Sequence, residues 1–485
     1  MSRRVAANAV WNIAGSLVSL LVGLLAISTL LKVLGPSRLG VFTLALGFIG
    51  FSGVLDLGLG RALTQKVASD VGEGKDRSAV SALAWHVLAF LAGFGIVAGV
   101  LVWCVAPWIV DHVTAIDPGM ERETVFGLRA IALSMPLALV SVGATGALEG
   151  LQAFRDVSTR RALLSILQFG LPMAMVLRLP DVGWAIAGLA TSRVIGSLTW
   201  LSLLQRLLPF RGMGAWRRGD LREVLAFGGW LSVSNAVGPL MVYADRFYLA
   251  TLFPAAKVAH YAVPLDGLFR ITSLPVMTMN AVFPALAGAK ADPRASSSML
   301  RIASVALAGL LVTPLYAASL FALGLLTLWL GAAFAHESLA ICQWLIVGIF
   351  ANSLAHVPYA LLQGHGRSDV TAKLHLLELP VFVIAIILCV SAWGIVGAAI
   401  AWTLRVALDA ALLYAEAMRR NPGLRQALSR GALFGAMGMV ILLVPVFTLA
   451  RPALAIGGVL AGTGSLLAAR VMRDALRGAR EEGPA

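Results

Sequence analysis

The sequence predicts an all-α integral membrane protein of about fourteen transmembrane helices, and three observations predict it. Hydrophobic residues fill 59% of the 485 positions and charged residues only 13%, where a soluble globular chain has about 45–50% and about 25%. Apolar stretches recur at or above the ~20 residues that cross a bilayer, separated by Pro, Gly and clusters of charge. The cations concentrate in alternate connecting segments, as the excess of Lys and Arg in cytoplasmic loops requires. The first observation alone excludes an ordinary soluble enzyme.

Taken in order, spans are predicted at about 10–34, 40–62, 80–108, 126–150, 161–179 and 183–207. Beyond a basic connector they resume at 224–252, 259–286, 302–330, 338–363, 371–391, 394–416, 432–450 and 452–471. With both termini cytoplasmic, the inner segments gather most of the 38 Lys and Arg, among them Arg3, Arg4, Lys75, Arg77, Arg160 and Arg161. The outer segments keep Lys32, Arg38, Arg122, Arg129, Arg178, Lys257 and Arg451. A missed or added span would invert every later loop and mix the two sets. The same asymmetry explains the formal charge of +14, so nucleic acid is not expected as a partner. Ser2-Arg3-Arg4 ahead of the first span reads as the start of a retained helix, because the apolar run is too long for a signal peptide. Cys104, Cys342 and Cys389 sit in apolar runs without metal or CxxC spacing, which points to packing.

An internal repeat divides the chain. Glu149-Gly150-Leu151-Gln152-Ala153-Phe154-Arg155-Asp156-Val157 near the end of the fourth span is answered near the end of the tenth by Gln363-Gly364-His365-Gly366-Arg367-Ser368-Asp369-Val370. Gly183-Trp184-Ala185-Ile186 is answered by Gly394-Ile395-Val396, and Arg193-Val194 by Arg405-Val406. The halves are therefore spans 1 to 6 and 7 to 12. Each has an even number of spans, so both start inside and their axis runs along the membrane normal. The expected organisation is an N-terminal lobe over 1–208, a basic cytoplasmic connector over 209–223, a C-terminal lobe over 224–418, and two last helices with a basic cytoplasmic tail over 419–485. The connector, with Arg211, Trp216, Arg217, Arg218 and Arg222, reads as a headgroup-bound interfacial helix.

Charges within spans form the functional shortlist, since each costs at least ~2.5–3.5 kcal/mol at membrane depth unless it meets a partner or a watery cavity. The cations are Arg61, Arg193, Arg246, Arg270 and Arg405, and the carboxylates are Asp56, Glu149, Asp245, Asp266, Glu378 and Asp409. Every cation is arginine, whose guanidinium stays charged in a dry site and grips phosphate oxygens with two parallel hydrogen bonds. The five arginines are thus the candidate substrate-binding residues, for a phosphate-bearing substrate. The competing reading is that they pin helices: Asp266/Arg270 and Arg405/Asp409 are spaced i, i+4 and can share a helix face. Arg61, five residues from Asp56, and Arg193, with no carboxylate within a turn, lack that option. Asp245, Glu149 and Glu378 are the candidates for proton or sodium coupling. No catalytic residue, cofactor or metal site is expected. His86, His356 and His375 form no metal-spaced pair and read as structural, and no GxxxxGK[ST] loop is present.

Several segments carry a family resemblance. Asn8-Ala9-Val10-Trp11-Asn12, Leu34-Gly35-Pro36-Ser37-Arg38-Leu39-Gly40-Val41-Phe42 and Asp56-Leu57-Gly58-Leu59-Gly60-Arg61-Ala62 resemble the polysaccharide (O-antigen, Wzx-type) flippases of the multidrug/oligosaccharidyl-lipid/polysaccharide exporter (MOP) superfamily. So do Gly150-Leu151-Gln152-Ala153-Phe154, Tyr243-Ala244-Asp245-Arg246-Phe247 and Tyr261. The resemblance implies two six-helix lobes around a central cavity that opens alternately to each side. It implies an undecaprenyl-diphosphate-linked oligosaccharide as cargo, membrane lipid around it, a bacterial inner membrane as location, and polysaccharide polymerase and export proteins as partners. Three alternatives stay open. A lipid II flippase shares the diphosphate; a multidrug antiporter for organic cations would favour an acidic or aromatic cavity; a membrane polysaccharide polymerase would need a sizeable outer loop, and the largest here, around 108–124, is short.

Overall fold

The computed structural model describes residues 3–51, 58–112, 119–210, 240–272, 293–365, 367–448 and 450–481, together with 55, 116 and 275. Among these residues every regular element is a helix. They are α1 (Arg3–Phe51), α2 (Leu59–Gly72), α3 (Arg77–His112), α4 (Glu121–Gly150), α5 (Phe154–Val176) and α6 (Val182–Leu207). Residues 240–252 form α7. There follow α8 (Ala255–Phe269), α9 (Pro293–Leu320), α10 (Ala322–Leu330), α11 (Ala332–Gly364), α12 (Ser368–Arg420), α13 (Arg425–Phe447) and α14 (Arg451–Glu481). Nine helical segments among the described residues are long and apolar enough to cross a membrane. Large apolar side chains such as Leu133, Leu328, Val440 and Phe447 are exposed, as on a surface that faces lipid. Most of the expected connector and Asp56 lie outside the described residues.

Spans and helices coincide where polar residues bracket the apolar run, and part where the backbone breaks inside it. Within the span expected at 40–62 the described part of α1 runs to Phe51, and α2 begins at Leu59 after Gly58, whose left-handed φ of 66° suits glycine. The span expected at 302–330 is two helices, α9 and α10, that part at Phe321. The spans expected at 371–391 and 394–416 are the two arms of α12, separated at Gly394 by a φ of 59°. A side chain on Gly397 would collide with the Cys389 carbonyl, so the chain doubles back there and the arms run side by side. Gly35, at φ 78°, marks the division between the first two spans in α1.

The chain divides into two compact units, Met1–Ala259 and His260–Ala485. In the first, α2, α3, α4 and α6 enclose a core that includes Leu63, Val67, Leu91, Leu148 and Leu204, all fully buried. Close helix approach depends on glycine. A Cβ on Gly146 of α4 would strike the Gly60 carbonyl of α2, and one on Gly99 of α3 would stand 2.6 Å from the Ala132 carbonyl of α4. Backbone contact at small residues is how membrane helices gain packing energy where lipid supplies no hydrophobic drive between them. Carbonyls at the end of α6 would otherwise lack partners. Arg77 Nη2, Trp85 Nε1 and the Ser81 hydroxyl, all on α3, donate to the carbonyls of Leu207, Leu208 and Pro209 at 3.0, 2.9 and 2.8 Å.

At the other end of α6 a polar clasp joins three segments. Arg38 donates from Nε and Nη2 to the two oxygens of Glu123, at 2.8 and 2.7 Å. Glu123 Oε2 also accepts from the Val182 amide at 3.3 Å, and Asp181 caps α6 by accepting from the Gly183 amide at 2.6 Å. The hydrogen bonds from Arg38, against some desolvation, hold the Glu123 carboxyl below its ordinary range. A depressed carboxyl contributes stability that is present above its unfolded value, about 4.3, and is lost as pH falls through the lower folded value. Because the pair is partly exposed it is worth about 1 kcal/mol at most. Thermal melts of purified protein should therefore weaken on acidification below about pH 4.3, and Glu123→Gln should flatten that part of the profile while lowering the midpoint at neutral pH. An unchanged acid limb in the variant would remove the clasp from the account.

In the second unit α11 packs on both arms of α12, with Gly348 accommodating the Trp402 ring, while Gly438 of α13 accommodates the Phe350 ring of α11. Polar contacts lock α14 to α9: the Thr313 hydroxyl donates to the Ala461 carbonyl at 2.8 Å, and the Tyr316 hydroxyl to the Leu454 carbonyl at 2.7 Å. Inside an apolar helix pair such bonds have no water to compete with them.

Candidate functional site

Two of the five arginines, both in the first unit, meet at the same stretch of α1. Arg193 of α6 donates from Nη1 to the Ile49 carbonyl at 3.4 Å. Ile49 lies close to the C-terminal end of α1, where the helix dipole favours a cation. Arg246 of α7 is 1% exposed, and its guanidinium lies over the Tyr243 ring, 5.3 Å from the centroid. Gly47 of α1 makes room for it: a Cβ there would touch Tyr243 and Arg246 at 3.6 and 3.7 Å. Asp245 is 2% exposed, and its Oδ1 accepts from the Arg246 backbone amide at 2.7 Å. The sequence presents Arg193 and Arg246 as separate charges; the fold sets both beside Gly47–Ile49, which no pattern in the sequence announces. Arg61 is exposed in the first turn of α2. Glu149 closes α4 in an ion pair with Arg161 of α5 at 2.8 Å, on a partly exposed surface.

The second unit collects a denser group around the α12 hairpin. Glu378, on the first arm, is 1% exposed, and no donor from the described residues reaches either of its carboxylate oxygens. The charged groups that act on it are Asp409 and Arg405 of the second arm. Arg405 lies over the Phe382 ring at 5.5 Å. Asp409 stands 3.6 Å from His375 Nε2 on the first arm, and His375 stacks on Tyr359 of α11 with centroids 6.4 Å apart. His356 of α11 also lies within electrostatic reach of Asp409, while its Nδ1 bonds the Asn352 carbonyl at 2.9 Å. The i, i+4 spacing singles out Arg405 as the partner of Asp409; folding the hairpin adds His375 and a second carboxylate. His86 bonds the Ala82 carbonyl at 2.6 Å, as a structural histidine does. Arg270 opens a single 3-10 turn after α8, with Asp266 acting on it electrostatically. Among the described residues no group of three or more His, Cys, Asp or Glu could hold a metal ion.

The described residues thus place Arg193 and Arg246 together in the first unit and Glu378 beside Asp409 in the second. Residues 29–339 match the family of polysaccharide biosynthesis proteins. The chain belongs to that family. Among its relatives, a Shigella flexneri protein assigned as an O-antigen transporter is 29% identical over 408 residues, covering 84% of this chain and 96% of that protein. The fold is similar to that of the lipid II flippase MurJ in an inward closed conformation, with a TM-score of 0.71 at 11% identity over 96% of this chain and 99% of MurJ. It is similar also to an inward-facing multidrug resistance transporter of the MATE family, from the MOP superfamily, with a TM-score of 0.66 at 18% identity over 87% of this chain and 95% of that one. At such identities the likeness is one of fold. The family member is therefore a multi-pass membrane protein whose relatives and structural neighbours are transporters and flippases rather than enzymes.

Proposed function

We propose that this family member is a polysaccharide flippase, which moves an undecaprenyl-diphosphate-linked oligosaccharide repeat unit from the inner to the outer leaflet of a bacterial inner membrane by alternating access, with both termini cytoplasmic. The observation that carries the reading is the convergence of Arg193 and Arg246 on one stretch of α1. Two guanidiniums at membrane depth suit a diphosphate that must leave water on its way across, and they are unsuited to an organic cation. Glu378, facing Asp409 with only Arg405 among the charges acting on it to offset the pair, is the group proposed to bind the driving proton or sodium ion. Polymerase and export proteins would receive the flipped cargo. A lipid II flippase is the second reading, since that cargo carries the same diphosphate and the fold is shared; the family match favours the polysaccharide cargo.

The test is complementation of a deletion strain. Arg193→Ala and Arg246→Ala should each cut surface polymer by about tenfold or more, the effect of losing one charge-assisted contact of ~1.5–3 kcal/mol. All variants should remain in the membrane, and lysine at either position, a point charge without the planar fork, should give back only part of the output. Full output from both alanine variants would remove this pair from the cargo path.

A further inference from the structure

The hairpin of α3 and α4 ends in a cavity that the transport reading does not use. It has a volume of about 680 Å³ and is walled by Trp103 and Asp111 of α3 and by Glu121, Arg122, Phe126, Arg129 and Leu133 among the residues of α4. Arg129 lies over the Trp103 ring at 5.0 Å from its centroid, and its buried Nε has no hydrogen-bond partner among the described residues. Two arginines and two carboxylates thus share one cavity, yet none of the four joins an ion pair with another described residue. The apolar side of the cavity is open: Trp103, Phe126 and Leu133 are 39%, 43% and 70% exposed. In a membrane that side faces acyl chains, and Arg and Trp at a helix end stand at headgroup level.

We propose that this cavity binds a zwitterionic phospholipid with a primary amine, of the ethanolamine class. Its phosphate sits between Arg122 and Arg129, its ammonium donates to Asp111 and Glu121, and its chains descend past Phe126 and Leu133. The two charge signs select this class. An anionic headgroup, or the diphosphate of the cargo, would satisfy the arginines and leave both carboxylates facing like charge. Free phosphate would leave the apolar wall bare. On the orientation proposed above the site opens to the outer leaflet, but its assignment requires only that the chain spans a membrane.

Native mass spectrometry of the full-length protein, purified and titrated with phosphatidylethanolamine, phosphatidylcholine or phosphatidylglycerol in mixed micelles, tests it. Phosphatidylethanolamine should be retained at least about threefold over the other two, the preference a partly exposed ionic contact supplies. Arg122→Ala and Glu121→Gln, both at exposed positions of the first turn of α4, should erase that preference, as should Arg129→Lys. Arg178→Ala, at an exposed cation outside the cavity, should keep it. Equal retention of phosphatidylglycerol by the wild type, or an undiminished preference in the Glu121 and Arg122 variants, would overturn the proposal.

Discussion

Glu378→Gln should stop transport while leaving the protein folded and in the membrane. The wild-type carboxyl group is 1% exposed, with Asp409 and Arg405 acting on it. A buried charge of that kind is costly, and glutamine relieves the cost while abolishing the site for a mobile cation. Surface polymer should fall to about a tenth of wild type or less, whereas the thermal midpoint should hold or rise, because glutamine takes an ionisable group out of a buried cluster while keeping an amide that can hydrogen-bond Asp409. The reverse change is the control. Arg405→Ala leaves both carboxylates without their cation and should destabilise by about 3–5 kcal/mol, as the loss of one partner from a buried charge group does, and Glu378→Gln added to it should recover much of that. Normal polymer output in Glu378→Gln would exclude this residue from coupling; a drop in its stability equal to that of Arg405→Ala would recast the group as a structural ion pair.

Gly146→Leu should unfold or strip from the membrane much of the first unit. Even a single Cβ at Gly146 would strike the Gly60 carbonyl of α2, and backbone cannot give way as a flexible side chain does. The helices would have to part along the buried core that holds Leu63 and Leu148. Overpacking costs about 1–3 kcal/mol in a yielding core, and this site, meeting backbone, should lie at or beyond the top of that range. Gly93→Leu on α3 is the matched comparison: nothing lies within 4 Å of a Cβ there, so it should insert and melt like wild type. The amount of each variant in purified membranes and its melting midpoint in detergent decide the matter. Equal behaviour of the two variants would contradict the close approach of α2 and α4.

Composition and charge alternation made the architecture legible because the bilayer accepts so few backbone solutions. The sixth span, expected at 183–207, is α6 at Val182–Leu207, bounded by Asp181 on one side and by the bend at Leu208 on the other. The left-handed Gly58 and the break at Phe321 were not legible, since both lie inside apolar runs, and hydropathy is indifferent to a single backbone torsion. The candidate site divides the same way. Ionisable residues in apolar surroundings announce themselves, so the arginines and Glu378 stood out. Their company did not: Asp409 meets His375 only because Gly394 folds α12 on itself, and Arg193 reaches Ile49 across 144 positions of sequence. Arg38 read as an outer-segment charge until the fold joined it to Glu123. The cavity of Trp103 and Arg129 likewise exists only once α3 and α4 are paired.

The flippase reading is tested most directly by deleting the gene and measuring which lipid-linked sugars accumulate, and on which leaflet, with a membrane-impermeant probe of the sugar. The account predicts complete undecaprenyl-diphosphate-linked repeat units held on the inner leaflet, with surface polymer lost and both restored by the wild-type chain but not by Arg193→Ala. Complete units stranded on the outer leaflet would contradict it in favour of a polymerase, and normal sugar intermediates with altered tolerance of organic cations would contradict it in favour of drug export.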